Sequence, residues 1–253
     1  MTERPASKKS RRTQAAPSPR TSRWGDWRRW LTWRVALRTL GGLLGAMVVW
    51  VGIFAWIDPP QGLYMRSEAA RLGAPIRQDW VPLDRIAPVM ARSAVAAEDA
   101  NYCLHWGFDM AAIRLAMDGG GSRGASTISQ QVVKNVFLWH RRSWPRKALE
   151  AMLTPIMETL WSKERILEVY LNVAEFDAGI FGVQAAARHY FGVDADRLSE
   201  LQAARLAMVL PNPQQRSASR PTDVQRKRTA RIIDGAQTIA ADGRARCFQP
   251  RGS

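Results

Sequence analysis

The sequence predicts a mainly α-helical domain carried behind a single apolar anchor helix. Three observations lead there. From Leu83 to Ala241 the apolar residues recur at three- and four-residue spacing, and no segment alternates convincingly with period two. Helix-start signals recur along that stretch, among them the capping-box pattern Ser199-Glu200-Leu201-Gln202. Residues 40–57 read LGGLLGAMVVWVGIFAWI, without one charged side chain. With Val35 to Thr39 the stretch reaches about 23 residues, enough to span a hydrocarbon core.

The elements follow in order. Residues 1–22 are rich in Ser, Pro, Arg and Lys and carry too little apolar surface to fold. Trp24, Trp27, Trp30 and Trp33 then recur every three residues among arginines, a pattern suited to a headgroup layer; a soluble Trp-lined helix is the alternative. We divide the chain into a basic, Trp-rich tail (1–34), an anchor helix (35–57), a linker (58–82), a catalytic-size helical domain (83–213) and a C-terminal helix with its tail (214–253). Arg38 can snorkel from the anchor. The N-terminal Lys/Arg excess predicts a cytoplasmic N-terminus. A cleaved signal peptide is disfavoured, because Ile57 is followed by Asp58-Pro59-Pro60 and not by a small-residue cleavage site.

Within the linker, Tyr64 to Leu72 is a candidate ordered segment. Further on, Asp84 is read as the cap of a helix reaching Ala97, Asp109 as the cap of Met110 to Met117, and Ser126 as the cap of Thr127 to Leu138. Trp144-Pro145 opens a helix toward Trp161, with Pro155 expected to kink it. Helices are also expected over Lys163–Asn172, Ile180–Tyr190 (stopped by Gly192), Ser199–Leu210 and Thr222–Ala241.

The net charge of +15 is unevenly placed: residues 1–38 carry +9, residues 214–253 carry +6, and the span between them is neutral. Basic ends around an apolar segment match an anionic membrane surface better than a nucleic acid, which is met by a basic folded face. The two cysteines, Cys103 and Cys247, and the three histidines complete no metal pattern. Two unpaired thiols is the favoured reading, with a single disulfide as the alternative.

Chemistry concentrates in three clusters. Glu98 closes an apolar helical run, where desolvation would raise its pKa toward that of a general base. Thr127, Gln131 and Lys134 share one face of the next polar helix, while Ile128, Val132 and Val136 mark another. Ser126 and Thr127 stand at that helix's N-terminus, a place that favours phosphate. Arg146, Lys147 and Glu150 form a cationic cluster beside a second carboxylate, able to hold a pyrophosphate and a divalent ion.

The ordered segments EDANYCLHWG, RGASTISQQVVKN, RKALE and KERILEVYLN, followed by AAARHYFG and LQAARLAMVLPNP, resemble the successive motifs of the peptidoglycan glycosyltransferase family that polymerises lipid II. The resemblance runs from about Val81 to Pro213 and implies a lysozyme-like α-helical fold with a smaller membrane-proximal lobe. It implies Glu98 as the base that deprotonates the 4-hydroxyl of the acceptor GlcNAc, with Asp99, Tyr102 and His105 as its motif neighbours. It further implies Ser126, Thr127, Gln131, Lys134 and Asn135 on the donor side. It implies Glu150 as the second essential carboxylate, expected with Arg146, Lys134 and a divalent cation (Mg or Mn) to serve the departing undecaprenyl pyrophosphate. No organic cofactor and no nucleic acid is implied. The implied partners are lipid II, the growing glycan, the membrane and other cell-wall synthesis proteins. The implied location is the bacterial inner membrane, with the catalytic domain periplasmic. Two departures stand out: Ala125 where the family has a second glycine, and Cys103 where relatives often have a larger residue. No Ser-x-x-Lys of a penicillin-binding domain follows. The rival functions are a glycan-strand-cleaving enzyme of similar fold and a non-catalytic membrane-tethered scaffold.

Overall fold

The computed structural model describes residues 24–118, 126–141 and 143–249. The readings of residues 1–22, of the Trp24, Trp27 and Trp30 side chains and of Ala125 lie outside the described residues and side chains. The elements in chain order are α1 (Trp24–Ile53), α2 (Leu63–Leu72), β1 (Arg77–Gln78), α3 (Pro88–Glu98), α4 (Met110–Asp118), α5 (Ile128–Phe137), α6 (Trp144–Leu160), α7 (Lys163–Val173), β2 (Glu175–Asp177), β3 (Ile180–Phe181), α8 (Val183–Phe191), α9 (Glu200–Val209) and α10 (Asp223–Ala241). The chain forms two compact units, residues 1–46 and 47–253.

In the first unit Val35, Leu37, Leu40 and Leu43 are exposed. The stretch Thr32–Ile53 of α1 is long and apolar enough to cross a membrane, with a mean hydropathy of 1.7. The second unit holds the core. Ile128, Val132 and Val133 of α5 are fully buried, as are Ile166, Leu167 and Leu171 of α7 and Leu206 of α9. α5 packs between α6 and α7, and α3, α9 and α10 pack together. The chain just after Ala46 belongs to this core: Val51 is buried, its carbonyl accepts from Trp161 Nε1 at 2.9 Å, and Trp50 and Phe54 set their rings against Phe137.

The helices form where the pattern places them, with shifts that have local causes. The helix expected from Asp84 begins at Pro88, because proline's fixed φ and missing N–H suit the first helical position. Asp84 lies in a 3-10 turn, Leu83–Arg85. Thr127, and not Ser126, caps α5: its side chain accepts from the Gln130 N–H, and the Gln130 side chain returns to the Thr127 N–H. Asp109 accepts from the Ala112 N–H at 2.9 Å, as a cap does. Ser199 and Thr222 make capping boxes with Gln202 and Gln225. α6 runs through Pro155 as one helix.

A small sheet accompanies the helices, in the order β1-β3-β2. β1 runs parallel to β3, pairing Arg77 with Ile180 and Gln78 with Phe181, and β2 runs antiparallel to it with an irregularity between Glu175 and Asp177. Strands of two or three residues carry no readable alternation, so Ile180 and Phe181 read as the start of a helix. The helix instead begins after Gly182, whose φ of 81° breaks the run.

Cys103 and Cys247 form a disulfide across 144 residues, which corrects the expectation of two unpaired thiols. α10 lies along α3 and returns the tail to the loop that follows α3, a juxtaposition that spacing along the chain does not reveal.

Gly107 gives a test of this packing. Its φ is +80°, and a Cβ there would lie 2.5 Å from the Thr154 Cγ2 and 3.2 Å from the Glu158 Cγ. Gly107→Ala is expected to destabilise the domain by about 3 kcal/mol through strain and overpacking together. Denaturant unfolding measures it, and an unchanged midpoint would contradict this packing.

Candidate active site

Glu98 is the last residue of α3, whose buried face is Met90, Ala91, Ala94 and Val95. The helix therefore delivers a half-buried carboxylate to the edge of an apolar wall. Burial pushes its carboxyl pKa up, as its place in the sequence predicts; the Gln131 hydrogen bond and the charges of Arg228, Lys134 and Arg216 oppose that shift without cancelling it. Gln131 Nε2 donates to Glu98 Oε2 at 2.9 Å.

That contact exists because α5 is tied to the end of α3. Asp99 is buried; one carboxylate oxygen accepts the Ile128 N–H at 3.0 Å and the other meets His105 Nε2 at 2.8 Å. A carboxylate at a helix N-terminus is favoured by the free N–H groups and the dipole there. Thr127 donates from Oγ1 to the Gly107 carbonyl at 2.6 Å. Tyr102 is fully buried, donates to the Lys163 carbonyl at 2.7 Å and lies under the Lys163 ammonium. Asp99, Tyr102, His105 and Thr127 thus clamp the two motif loops together and do not line the groove described next.

Glu98 opens into a groove of about 1180 Å³, and of the residues singled out from sequence Ser126, Gln131, Lys134 and Asn135 line it with Glu98. Burial pushes the Lys134 ammonium pKa down, against the attraction of Glu150; Arg146 also lowers it, Glu98 raises it and Lys147 lowers it. Lys134 therefore feels both carboxylates.

Glu150 itself does not line the groove. It is 2% exposed, receives Arg146 Nη1 on Oε2 at 2.6 Å, and is ion-paired through Oε1 to Lys147. Lys147 Nζ also reaches Ser126 Oγ at 3.4 Å, on the groove wall. Glu150 thus gathers cations at that end. The same pairing bears on the divalent ion. Both Glu150 oxygens are engaged by cationic side chains, and among the described residues no three His, Cys, Asp or Glu side chains converge as a metal site. The donor set does not fit a divalent ion held at Glu150.

Several groove residues escaped sequence reading. Tyr170, 1% exposed, lines the groove, and its hydroxyl has no hydrogen-bond partner among the described residues; burial pushes its pKa up, and the charges of Glu98 and Asp99 add to the shift. It sits inside KERILEVYLN, a segment in which sequence reading marks no site residue. Arg216 and Arg228 line the groove near Glu98, from beyond the expected domain boundary at Pro213. Farther along, Tyr64 of α2 stacks on His140 at 3.7 Å and donates to Glu175, while Gln214 Nε2 reaches Glu68 at 3.1 Å. Burial, helped by Lys134 and Arg146, pushes His140 down to about 4, so it is neutral at neutral pH. The stretch read as a linker therefore supplies part of the groove wall.

Comparison with known proteins agrees with this site. A family model described as Transglycosylase matches residues 66–237. A biosynthetic peptidoglycan transglycosylase of Jannaschia sp. is 59% identical over 221 residues, covering 87% of this chain and 90% of its own. Proteins of that name from Pseudomonas putida and Pseudomonas aeruginosa are 50% and 48% identical, over 73% and 79% of this chain and 82% and 90% of their own. The cleft of carboxylates and cations, the helical fold around it and these likenesses agree: the chain belongs to the transglycosylase family.

Proposed function

We propose that this protein polymerises lipid II, with Glu98 as general base and the cations around Glu150 as the clamp for the departing diphosphate. As a transglycosylase it is a glycosyltransferase of peptidoglycan synthesis. The observation that carries the finer reading is the groove that Glu98 shares with Lys134 and Ser126, the last of which Lys147 reaches from its pairing with Glu150. A base and a cluster of cations along one groove suit a single displacement at a sugar carbon.

In that displacement Glu98 removes the proton from the acceptor 4-hydroxyl as its oxygen attacks the donor C1. The bond from C1 to the diphosphate oxygen breaks, the anomeric configuration inverts, and the charge developing on the diphosphate is met by Lys134, Arg146 and Lys147. Such fixed cations stabilise developing charge without reorganising. Burial makes Glu98 a stronger base than an exposed carboxylate. No covalent intermediate is needed.

The substrate's lipid fits the rest of the chain. Leu104, Trp106, Met110, Leu115, Met117 and Trp144 are all exposed, an apolar set suited to a bilayer surface. Thr32–Ile53 serves as a single-pass anchor in the bacterial inner membrane, with the basic N-terminus cytoplasmic and the catalytic domain periplasmic. The Cys103–Cys247 disulfide supports that side, because such bonds persist in oxidising compartments. Other cell-wall synthesis proteins are the partners to seek.

Lipid II in vesicles should be converted to polymer by the purified protein alone; shortening of preformed strands without polymer formation would reject the reading in favour of strand cleavage. Glu98→Gln should lose activity by a factor on the order of 10³ while keeping its circular dichroism spectrum. Lys134→Ala should lose on the order of a hundredfold, whereas Lys227→Ala on the exposed side of α10 should lose nothing measurable. Equal effects of the two lysines would contradict the clamp.

The pH profile offers a separate check. Glu98 must be ionised to act, and its pKa is raised by burial. Activity should therefore fall with decreasing pH through a midpoint above the ordinary carboxylate range. Gln131→Leu removes a hydrogen bond that favours the ionised form, so the midpoint of kcat/KM should move to still higher pH. A shift to lower pH would contradict the arrangement.

A further inference from the structure

We propose that the C-terminal segment 244–249, bolted to Cys103, is a positioning element for Glu98. This rests on the reading of Glu98 as the base.

The segment lies beyond residues 66–237, the part matched by the family. It touches the catalytic loop and its helix at four points. Cys247 is bonded to Cys103 in the 3-10 turn Tyr102–Leu104. Phe248 is buried with its ring 6.1 Å from that of Tyr102. Arg244 Nη1 donates to the Ala100 carbonyl at 3.0 Å, two residues past Glu98. Gln249 donates from Nε2 to the Pro88 carbonyl at 2.8 Å and accepts from Arg92 Nη1 at 2.9 Å. The N-terminal half of α3 and the loop after the helix are therefore fastened to one short strap.

The strap has no side chain among the groove-lining residues. Its influence passes through Asp99, which sits between Glu98 and the strapped turn and which fixes the start of α5. Loosening the strap would let residues 99–104 drift, and with them the Glu98–Gln131 geometry. Catalysis is sensitive to such displacement, since misplacement by about 1 Å can cost on the order of a hundredfold. Because neither the strap nor the residues it touches line the groove, substrate affinity should be spared.

The experiment uses the full-length protein with lipid II in vesicles. Cys103→Ser/Cys247→Ser should lower kcat about tenfold with KM unchanged. Dithiothreitol, which delivers two electrons and two protons and leaves two thiols, should produce the same fall in the wild type. Reoxidation should restore the rate, and the double variant should not respond. Should that variant fail to fold, Arg244→Ala and Phe248→Leu keep the bridge and decide: each should lower kcat severalfold at constant KM, and full kcat in both overturns the proposal. A folded double variant with wild-type kcat also overturns it, even if its melting temperature falls, since that would leave the strap a purely structural staple. If those variants are fully active and Glu98→Gln is dead, the strap is wrong and the base stands. If Glu98→Gln is active, the base reading itself fails.

Discussion

The bond from the Ile128 N–H to the buried Asp99 carboxylate is the constraint on which the site depends. It joins the end of the helix that bears Glu98 to the start of the helix that bears Gln131 and Lys134. A carboxylate is favoured there by the unsatisfied N–H groups of the helix N-terminus, and burial makes the bond costly to lose. The second Asp99 oxygen is committed to His105. Asp99 thus spends its charge on structure, and the adjacent Glu98 keeps its charge for the groove. Neighbouring carboxylates acquire different duties because one is saturated with donors and the other is held by a single amide.

Electrostatics across the groove follow from the same geometry. The charges of Lys134 on α5 and of Arg216 and Arg228 from the C-terminal part of the domain act on Glu98. Lys134 in turn looks toward Glu150, which is already neutralised by Arg146 and Lys147. The second carboxylate is therefore an organiser of cations. It holds two long, flexible basic side chains in place where a diphosphate would otherwise have to order them. That division of labour suits a substrate whose leaving group carries the negative charge and whose nucleophile must lose a proton.

Much of this was legible in the sequence. Helical periodicity located α3 through α10 to within a few residues, and the capping box at Ser199 fixed one of the starts. The motif order singled out Glu98, Gln131 and Lys134, which line the groove, and Arg146 and Glu150, which pair with each other outside its lining. The sequence could not tell a ligand-facing polar residue from an inward-facing one. Asp99, Tyr102, His105 and Thr127 have the residue types of a binding site and serve as buried clamps. Tyr170 shows the converse, a buried helix residue that no sequence signal marks and that lines the groove. Tyr64, Glu175 and Arg216 reach the groove from α2, from a strand of three residues and from a loop, where no local pattern announces a shared wall. The Cys103–Cys247 bond was hidden for a similar reason, because it depends on where α10 returns the chain.

A crystal structure of the protein bound to a non-transferable lipid diphosphate–sugar analogue tests the central claim most directly. The account predicts the diphosphate among Lys134, Arg146 and Lys147, with Glu98 facing a sugar hydroxyl position within hydrogen-bond reach of roughly 3 Å. A diphosphate seated away from Lys134, with Glu98 turned from the sugar and still bonded only to Gln131, would contradict it.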